Sequence, residues 1–219
     1  MLYIVSTPIG NLEDITLRAL RTLKEVDYIA AEDTRHSRIL LDKYEIKTQM
    51  LSYHSYSSDA KVQKLVGLLK EGKTVALISD AGTPGISDPA YTLIKSALEE
   101  KIQIVPIPGA SSLLAAIVTT GLPMNQFLYL GFIPVKKGRQ TLLKELAEEK
   151  RTIIIFESPH RILKTLSQLS EYLPDRKIAI CREMTKLHEE IFRGTMEEAI
   201  EHFTNKKPKG EFVLVIAGS

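Results

Sequence analysis

Short β-rich runs alternate with helical patterns along most of the 219-residue sequence, and this rhythm constrains the fold more than any other feature. A strand, a helix and another strand, repeated, build α/β architecture with a largely parallel sheet. Residues 2–6, 28–31, 49–52, 74–79 and 103–107 read as strands of a first half. Helices are expected over 15–25 (capped by Asp14), 37–44, 58–71, 90–100 and 111–119. A second half follows the Gly121-Leu122-Pro123 break, with strands at 127–132, 152–156, 177–181, 191–195 and 212–217. Its helices run to about 149, over 162–172 and over 196–203. The expected domains are residues 1–119 and 120–219, with mixed, largely parallel sheets.

Composition narrows the class. Apolar residues make up 44% and charged residues 26%, ordinary for a folded soluble chain. The single cysteine, Cys181, permits no internal disulfide and suits a reducing cytoplasm. No run approaches the roughly 20 apolar residues that cross a bilayer, and the apolar start lacks a basic leader, so a soluble, cytoplasmic protein is expected. The first half carries 13 basic against 14 acidic residues and the second 16 against 13, a balance that permits an anionic partner without requiring one.

Open α/β sheets bind ligands at the carboxyl ends of their strands. Five such junctions are polar here: Ser6 to Asn11, Asp80 onward, Pro108 to Ser112, Glu157 to Arg161, and Arg182-Glu183-Met184. Any one of them is accounted for by turn chemistry and capping; together they point to a ligand cleft between the halves. Neither GxxxxGK[ST] nor GxGxxG after the first strand is present, which argues against nucleoside triphosphates and Rossmann-type dinucleotides. Cys181, His54, His160 and His188 lack zinc-ligand spacing, so no metal is expected. GxSxG is absent too, which argues against an α/β-hydrolase.

Several of these segments are long enough to carry a resemblance. Leu2-Tyr3-Ile4-Val5-Ser6-Thr7-Pro8-Ile9-Gly10-Asn11-Leu12, Ala31-Glu32-Asp33-Thr34-Arg35, Asp80-Ala81-Gly82-Thr83-Pro84-Gly85-Ile86-Ser87-Asp88-Pro89, Pro108-Gly109-Ala110-Ser111-Ser112 and Glu157-Ser158-Pro159-His160-Arg161 resemble the ribosomal RNA small subunit methyltransferase I family, within the tetrapyrrole methylase superfamily. The resemblance extends to the Lys209-Gly210-Glu211-Phe212-Val213-Leu214 strand, nearly the whole chain.

It implies two unlike α/β domains, S-adenosylmethionine as cofactor, a homodimer, and 2′-O-methylation of a cytidine ribose in the decoding centre of 16S ribosomal RNA, met in the assembled small subunit. On the resemblance, Pro8, Asp80, Gly82, Thr83, Ser111, Ser112, Phe156 and Glu157 line the cofactor site. Capping is the plainer role for Asp80, Ser111 and Ser112. A general base for the ribose hydroxyl is sought among Glu157, His160, Glu183 and Lys186, without a choice between them. Arg35, His36, Arg38, Arg161 and Arg182 are candidates for the RNA, with Lys136-Lys137-Arg139 and Lys206-Lys207-Lys209 as further basic patches. Tyr53, His54 and Tyr56 could stack on a base or simply pack. The competing readings are a porphyrinoid methylase and a non-catalytic RNA-binding module on the same fold.

Overall fold

β1 (Leu2–Val5) lies between two parallel neighbours, β4 (Val75–Ile78) and β5 (Ile104–Ile107). Adding β2 (Tyr28–Ala31) and β3 (Gln49–Ser52) completes a wholly parallel sheet in the order β3-β2-β4-β1-β5. In the computed structural model, which describes residues 1–54, 59–88, 90–206 and 208–219, this sheet belongs to a compact unit Met1–Ser111; the second unit is Ser112–Ser219. The boundary precedes the Gly121-Leu122-Pro123 break because α5 (Ser112–Ile117) packs on a strand of the second sheet.

The helices of the first unit are α1 (Leu17–Glu25), α2 (Thr34–Lys43), α3 (Asp59–Lys70) and α4 (Ala90–Glu99). Right-handed crossovers require that connections running in opposite directions along the sheet cover opposite faces. The cores agree. Ala19, Leu23, Leu40 and Leu41 of α1 and α2 pack with Val5, Ile29, Ala76 and Ile78, whereas Val62, Leu65, Leu93 and Ala97 of α3 and α4 pack with Leu2, Ala30, Val75 and Leu77. Alternate strand residues therefore serve alternate faces. Each fully buried Leu or Ile contributes about 1.5–3 kcal/mol to that packing.

The cap of α1 differs from expectation. Thr16, not Asp14, accepts the Ala19 N–H, because Leu12–Asp14 forms a short 3₁₀ turn capped by Asn11. α2 begins three residues earlier than its apolar pattern suggests, since Asp33 caps it.

In the second unit β6 (Phe127–Phe132) pairs in parallel with β7 (Thr152–Glu157), and β10 (Phe212–Ile216) pairs antiparallel with both β7 and β8 (Ile178–Arg182). β9 (Glu190–Gly194) closes the order β6-β7-β10-β8-β9. One sheet is thus parallel and the other mixed, with a single parallel pair; the "largely parallel" expectation describes the first sheet only. The cause is connectivity: β8 and β9 follow each other without a helix, and so pair antiparallel. α6 (Arg139–Ala147), α7 (Ile162–Tyr172) and α8 (Met196–Asn205) cover one face with a core of Ile153, Ile155, Leu166, Leu169, Ile180 and Leu214.

Candidate active site

β1 and β4 are adjacent and parallel, yet their onward connections leave to opposite faces of the sheet. Such a switch point parts the two loops at the carboxyl ends and opens a crevice for a ligand. Here the loops are laced together before any ligand arrives. Thr7 and Gly82 exchange backbone hydrogen bonds at 2.9 and 3.1 Å. Thr83 Oγ1 donates to the Ala110 carbonyl at 3.2 Å, which leaves Ser6 Oγ as the donor to Thr83 Oγ1 at 2.9 Å. Thr7 Oγ1 donates to Ser79 O at 3.1 Å. A Cβ on Gly109 would stand 2.9 Å from Ser6 Cβ, so only glycine lets the third loop lie this close. Gly82 adopts φ +79°, left-handed backbone that other residues resist.

Charge at this end is acidic. Asp80 Oδ1 accepts the Asp33 N–H at 3.0 Å, joining the loops after β4 and β2. Burial pushes the Glu32 carboxyl up, with Asp80 and Asp88 adding their repulsion. Burial also pushes Asp88 up against the N–H groups of Gly85 and Ala90 that it accepts, and Asp80 adds to the rise. Three carboxylates in mutual electrostatic reach disfavour a phosphate and favour a cation.

Beside this rim, Asp33 caps α2 and forks onto Arg35, accepting Nε at 3.2 Å and Nη2 at 2.8 Å. Thr34, Arg35, Arg38 and Met50 line an open depression of about 480 Å³. Arg35, His36 and Arg38 are exposed. Pro8 is buried in its loop and Ser111 is half-buried. Tyr53 is packed into the core, which settles it as a packing residue; His54 Nε2 lies 3.5 Å from Lys61 Nζ, and Tyr56 falls outside the described residues.

In the second unit Ser112 opens α5, and Phe156 makes edge-to-face contacts with Tyr129 and Phe132 at 5.2 and 5.9 Å. Glu157, at the end of β7, is sealed. Its Oε1 accepts the Ser158 N–H at 2.8 Å, and its Oε2 accepts Thr165 Oγ1 at 2.6 Å and Arg161 Nη2 at 3.1 Å. Its side chain has no exposure. Such a carboxylate shapes the loop and is out of reach of a ribose proton. Arg161 is held by Glu157 and by the Ile133 carbonyl.

Arg139, expected in a solvated basic patch, is 5% exposed and donates to Pro134 O, Thr165 Oγ1 and Gln168 Oε1. A guanidinium buried with its donors satisfied is structural, so Lys136 and Lys137 remain as the patch. His160 is exposed on its turn.

Glu183 and Lys186 come together after β8. Lys186 Nζ donates to Glu183 Oε1 at 3.0 Å and Glu211 Oε2 at 2.9 Å. Burial pushes Glu183 up, but the Glu211 N–H and the Lys186 ammonium outweigh it and leave the carboxyl below its ordinary range. Burial pushes Lys186 down, but its two carboxylate partners win and hold the ammonium charged. Glu183 and Thr185 adopt left-handed φ of 49° and 64°, strain of the kind found at functional loops. Arg182 is tied to Glu190 at 2.8 Å and to Lys209 O at 2.7 Å, and Lys206 also meets Glu190; Lys207 is outside the described residues.

Comparison with known proteins fixes the family. The family described as Tetrapyrrole (Corrin/Porphyrin) Methylases matches residues 1–200. The chain belongs to the tetrapyrrole methylase family. Among curated tetrapyrrole methylase relatives, a ribosomal RNA small subunit methyltransferase I of Thermotoga maritima is 52% identical over 99% of this chain and 98% of its own length. A protein of the same name from Synechocystis is 50% identical over 100% of this chain and 79% of its own. Solved tetrapyrrole methylases share the fold at low identity. A cobalt precorrin-4 methyltransferase aligns with TM-score 0.75 at 20% identity, covering 99% of this chain and 94% of that one. A Thermus thermophilus uroporphyrin-III C-methyltransferase, solved with S-adenosylhomocysteine, aligns with TM-score 0.69 at 18% identity, covering 99% and 96%.

Two polar clusters, one in each unit, escape a reading of the sequence. Asp33 lies inside the Glu32–Arg35 motif, but nothing in the pattern says that it both caps α2 and grips Arg35. Glu190 collects Arg182 from β8 and His202 and Lys206 from α8 and its C-cap, a convergence that only the folded sheet creates.

Proposed function

We propose that this protein transfers a methyl group from S-adenosylmethionine to the ribose 2′-hydroxyl of a cytidine in the decoding centre of 16S ribosomal RNA. The observation that carries the reading is the juxtaposition, within one unit, of an acidic, phosphate-repelling loop cluster and an arginine-lined depression. A cationic ligand suits the first and a polyanion the second. The name borne by the 52%-identical relative supports small-subunit ribosomal RNA as the polyanion.

When bound, S-adenosylmethionine supplies a sulfonium methyl that already carries its leaving group. The protein's task is then mostly alignment, worth up to about 7–11 kcal/mol at the ideal limit. Pro8, Asp80, Gly82, Thr83, Ser111 and Ser112 hold the donor, with Asp80 supplying negative charge toward its cationic groups. Phe156 offers an aromatic edge to the adenine, and Glu157 keeps its loop in shape. Arg35, His36 and Arg38 hold RNA phosphates. Glu183, its carboxylate kept ionised beside the Lys186 ammonium, would accept the proton that the ribose hydroxyl gives up. A ribosomal acceptor places the protein in the cytoplasm, and the proposal includes a homodimer acting on the assembled small subunit.

The test is incubation of the protein with methyl-labelled S-adenosylmethionine and unmodified small ribosomal subunits, with naked 16S ribosomal RNA and a porphyrinoid as parallel acceptors. Label recovered in a 2′-O-methylcytidine supports the reading. Label on a base or on the porphyrinoid, or donor binding without turnover, overturns it.

A further inference from the structure

We infer that Asp33 is a positioning residue that ties the donor loop to the RNA-binding arginine, Asp80 holding the Asp33 backbone and Asp33 holding the Arg35 guanidinium. The inference rests on the proposed roles of Asp80 and Arg35 and adds a coupling between them.

The geometry is a continuous relay within the first unit. Asp80 Oδ1, on the loop after β4, accepts the Asp33 N–H at 3.0 Å. The Asp33 carbonyl accepts the Ser37 N–H at 2.9 Å and so belongs to the first turn of α2. Asp33 Oδ1 then accepts both the backbone N–H and Nε of Arg35, at 2.8 and 3.2 Å, and Oδ2 accepts Nη2 at 2.8 Å.

Capping alone does not account for this. A cap needs one oxygen on one backbone N–H, which Oδ1 supplies. The fork onto Nε and Nη2 is additional, and it restrains a side chain that is 91% exposed. An exposed ion pair contributes little to stability, so its consequence lies in orientation. A free arginine gives up rotamer entropy when it is fixed on a ligand. Here the guanidinium is fixed beforehand, at the wall of the depression it shares with Thr34, Arg38 and Met50. Any shift of Asp80 on donor binding passes through one hydrogen bond to the residue that aims Arg35.

Asn caps a helix as well as Asp, so Asp33→Asn separates the clamp from the cap. Asp80→Ala removes the acceptor for the Asp33 N–H, and Asp80→Asn restores an oxygen there. Two measurements are made on the full chain: the Arg35 Nε–H signal by NMR, and turnover and salt-dependent binding on unmodified small subunits. The relay predicts a protected Arg35 Nε–H in the parent and in Asp80→Asn, exchange-averaged in Asp33→Asn and Asp80→Ala. Melting of Asp33→Asn stays at the parent's temperature while turnover falls about tenfold, and Asp80→Ala binds subunits about 3–10-fold more weakly without donor. An Arg35 Nε–H equally protected in all four proteins overturns the inference. A parent that neither binds nor methylates subunits, with Arg35 still released in the two variants, supports the relay and overturns the proposed function instead.

Discussion

The Thr165 hydroxyl donates to Glu157 Oε2 at 2.6 Å while accepting from Arg139 Nη2 at 2.8 Å, so one threonine joins a buried carboxylate to a buried guanidinium. Arg161 closes the network from the other side of Glu157. The sequence signal of a strand-end glutamate followed by Ser-Pro-His-Arg thus marks a loop held in shape from below.

Removing the charge of Glu157 leaves Arg161 and Thr165 with a poorer acceptor in a dry site. Glu157→Gln is expected to cost about 2–4 kcal/mol of stability. Urea unfolding of the variant checks this. A stability equal to the parent's, combined with complete loss of methyl transfer, contradicts the structural role and restores Glu157 as the proton acceptor.

Glu190 responds to acid. Burial raises its carboxyl, but Lys206, His202 and Arg182 outweigh this and leave it at about 2, against an ordinary 4.5. A depressed folded value means stability present above the unfolded value and lost as pH falls through the folded one. The second unit should therefore lose about 3 kcal/mol between pH 4.5 and 2, by the order-of-magnitude conversion of the shift. Glu190→Gln should flatten the unfolding free energy across that window; an unchanged slope removes Glu190 from the acid response.

Much of the fold was readable because period and punctuation agree. Val62, Leu65, Val66 and Leu69 repeat on one face and Gly72 stops them, and α3 follows that reading over its described residues. The three antiparallel pairings of the second sheet were not readable, because a strand run carries no sign of its partner's direction. Site residues divide the same way. Arg35 and Arg38 stand exposed at helical spacing, as their pattern requires. Arg139, drawn from an equally basic stretch, is buried, because the partners that satisfy it are the Pro134 carbonyl and, from α7, Thr165 and Gln168, which the local pattern does not reveal.

The acidic rim makes a prediction about charge on the donor. Asp80→Asn keeps an acceptor for the Asp33 N–H but removes a negative charge beside Glu32 and Asp88. Affinity for S-adenosylmethionine is expected to fall about 5–10-fold, and affinity for S-adenosylhomocysteine, whose sulfur is neutral, to fall less. Calorimetry with both ligands checks it, and equal losses for the two place the effect away from the sulfonium.

Two glycines should respond oppositely to the same added methyl. Gly67 lies in the interior of α3, and a Cβ there meets nothing within 4 Å. Gly67→Ala gains helix propensity at no steric cost and should stabilise the protein by about 0.5–1 kcal/mol. At Gly109 the added Cβ stands 2.9 Å from Ser6 Cβ, the rigid base of that side chain rather than a flexible tip, with the Ser6 carbonyl oxygen in ordinary contact at 3.5 Å. The loop after β5 must then back away from β1, straining the Ser6–Thr83–Ala110 chain. A cost of about 1–3 kcal/mol is expected for such overpacking, together with weakened donor binding. Thermal melting and donor titration of both variants test this, and a Gly109→Ala protein that binds donor like the parent shows that the three loops need not be laced this closely.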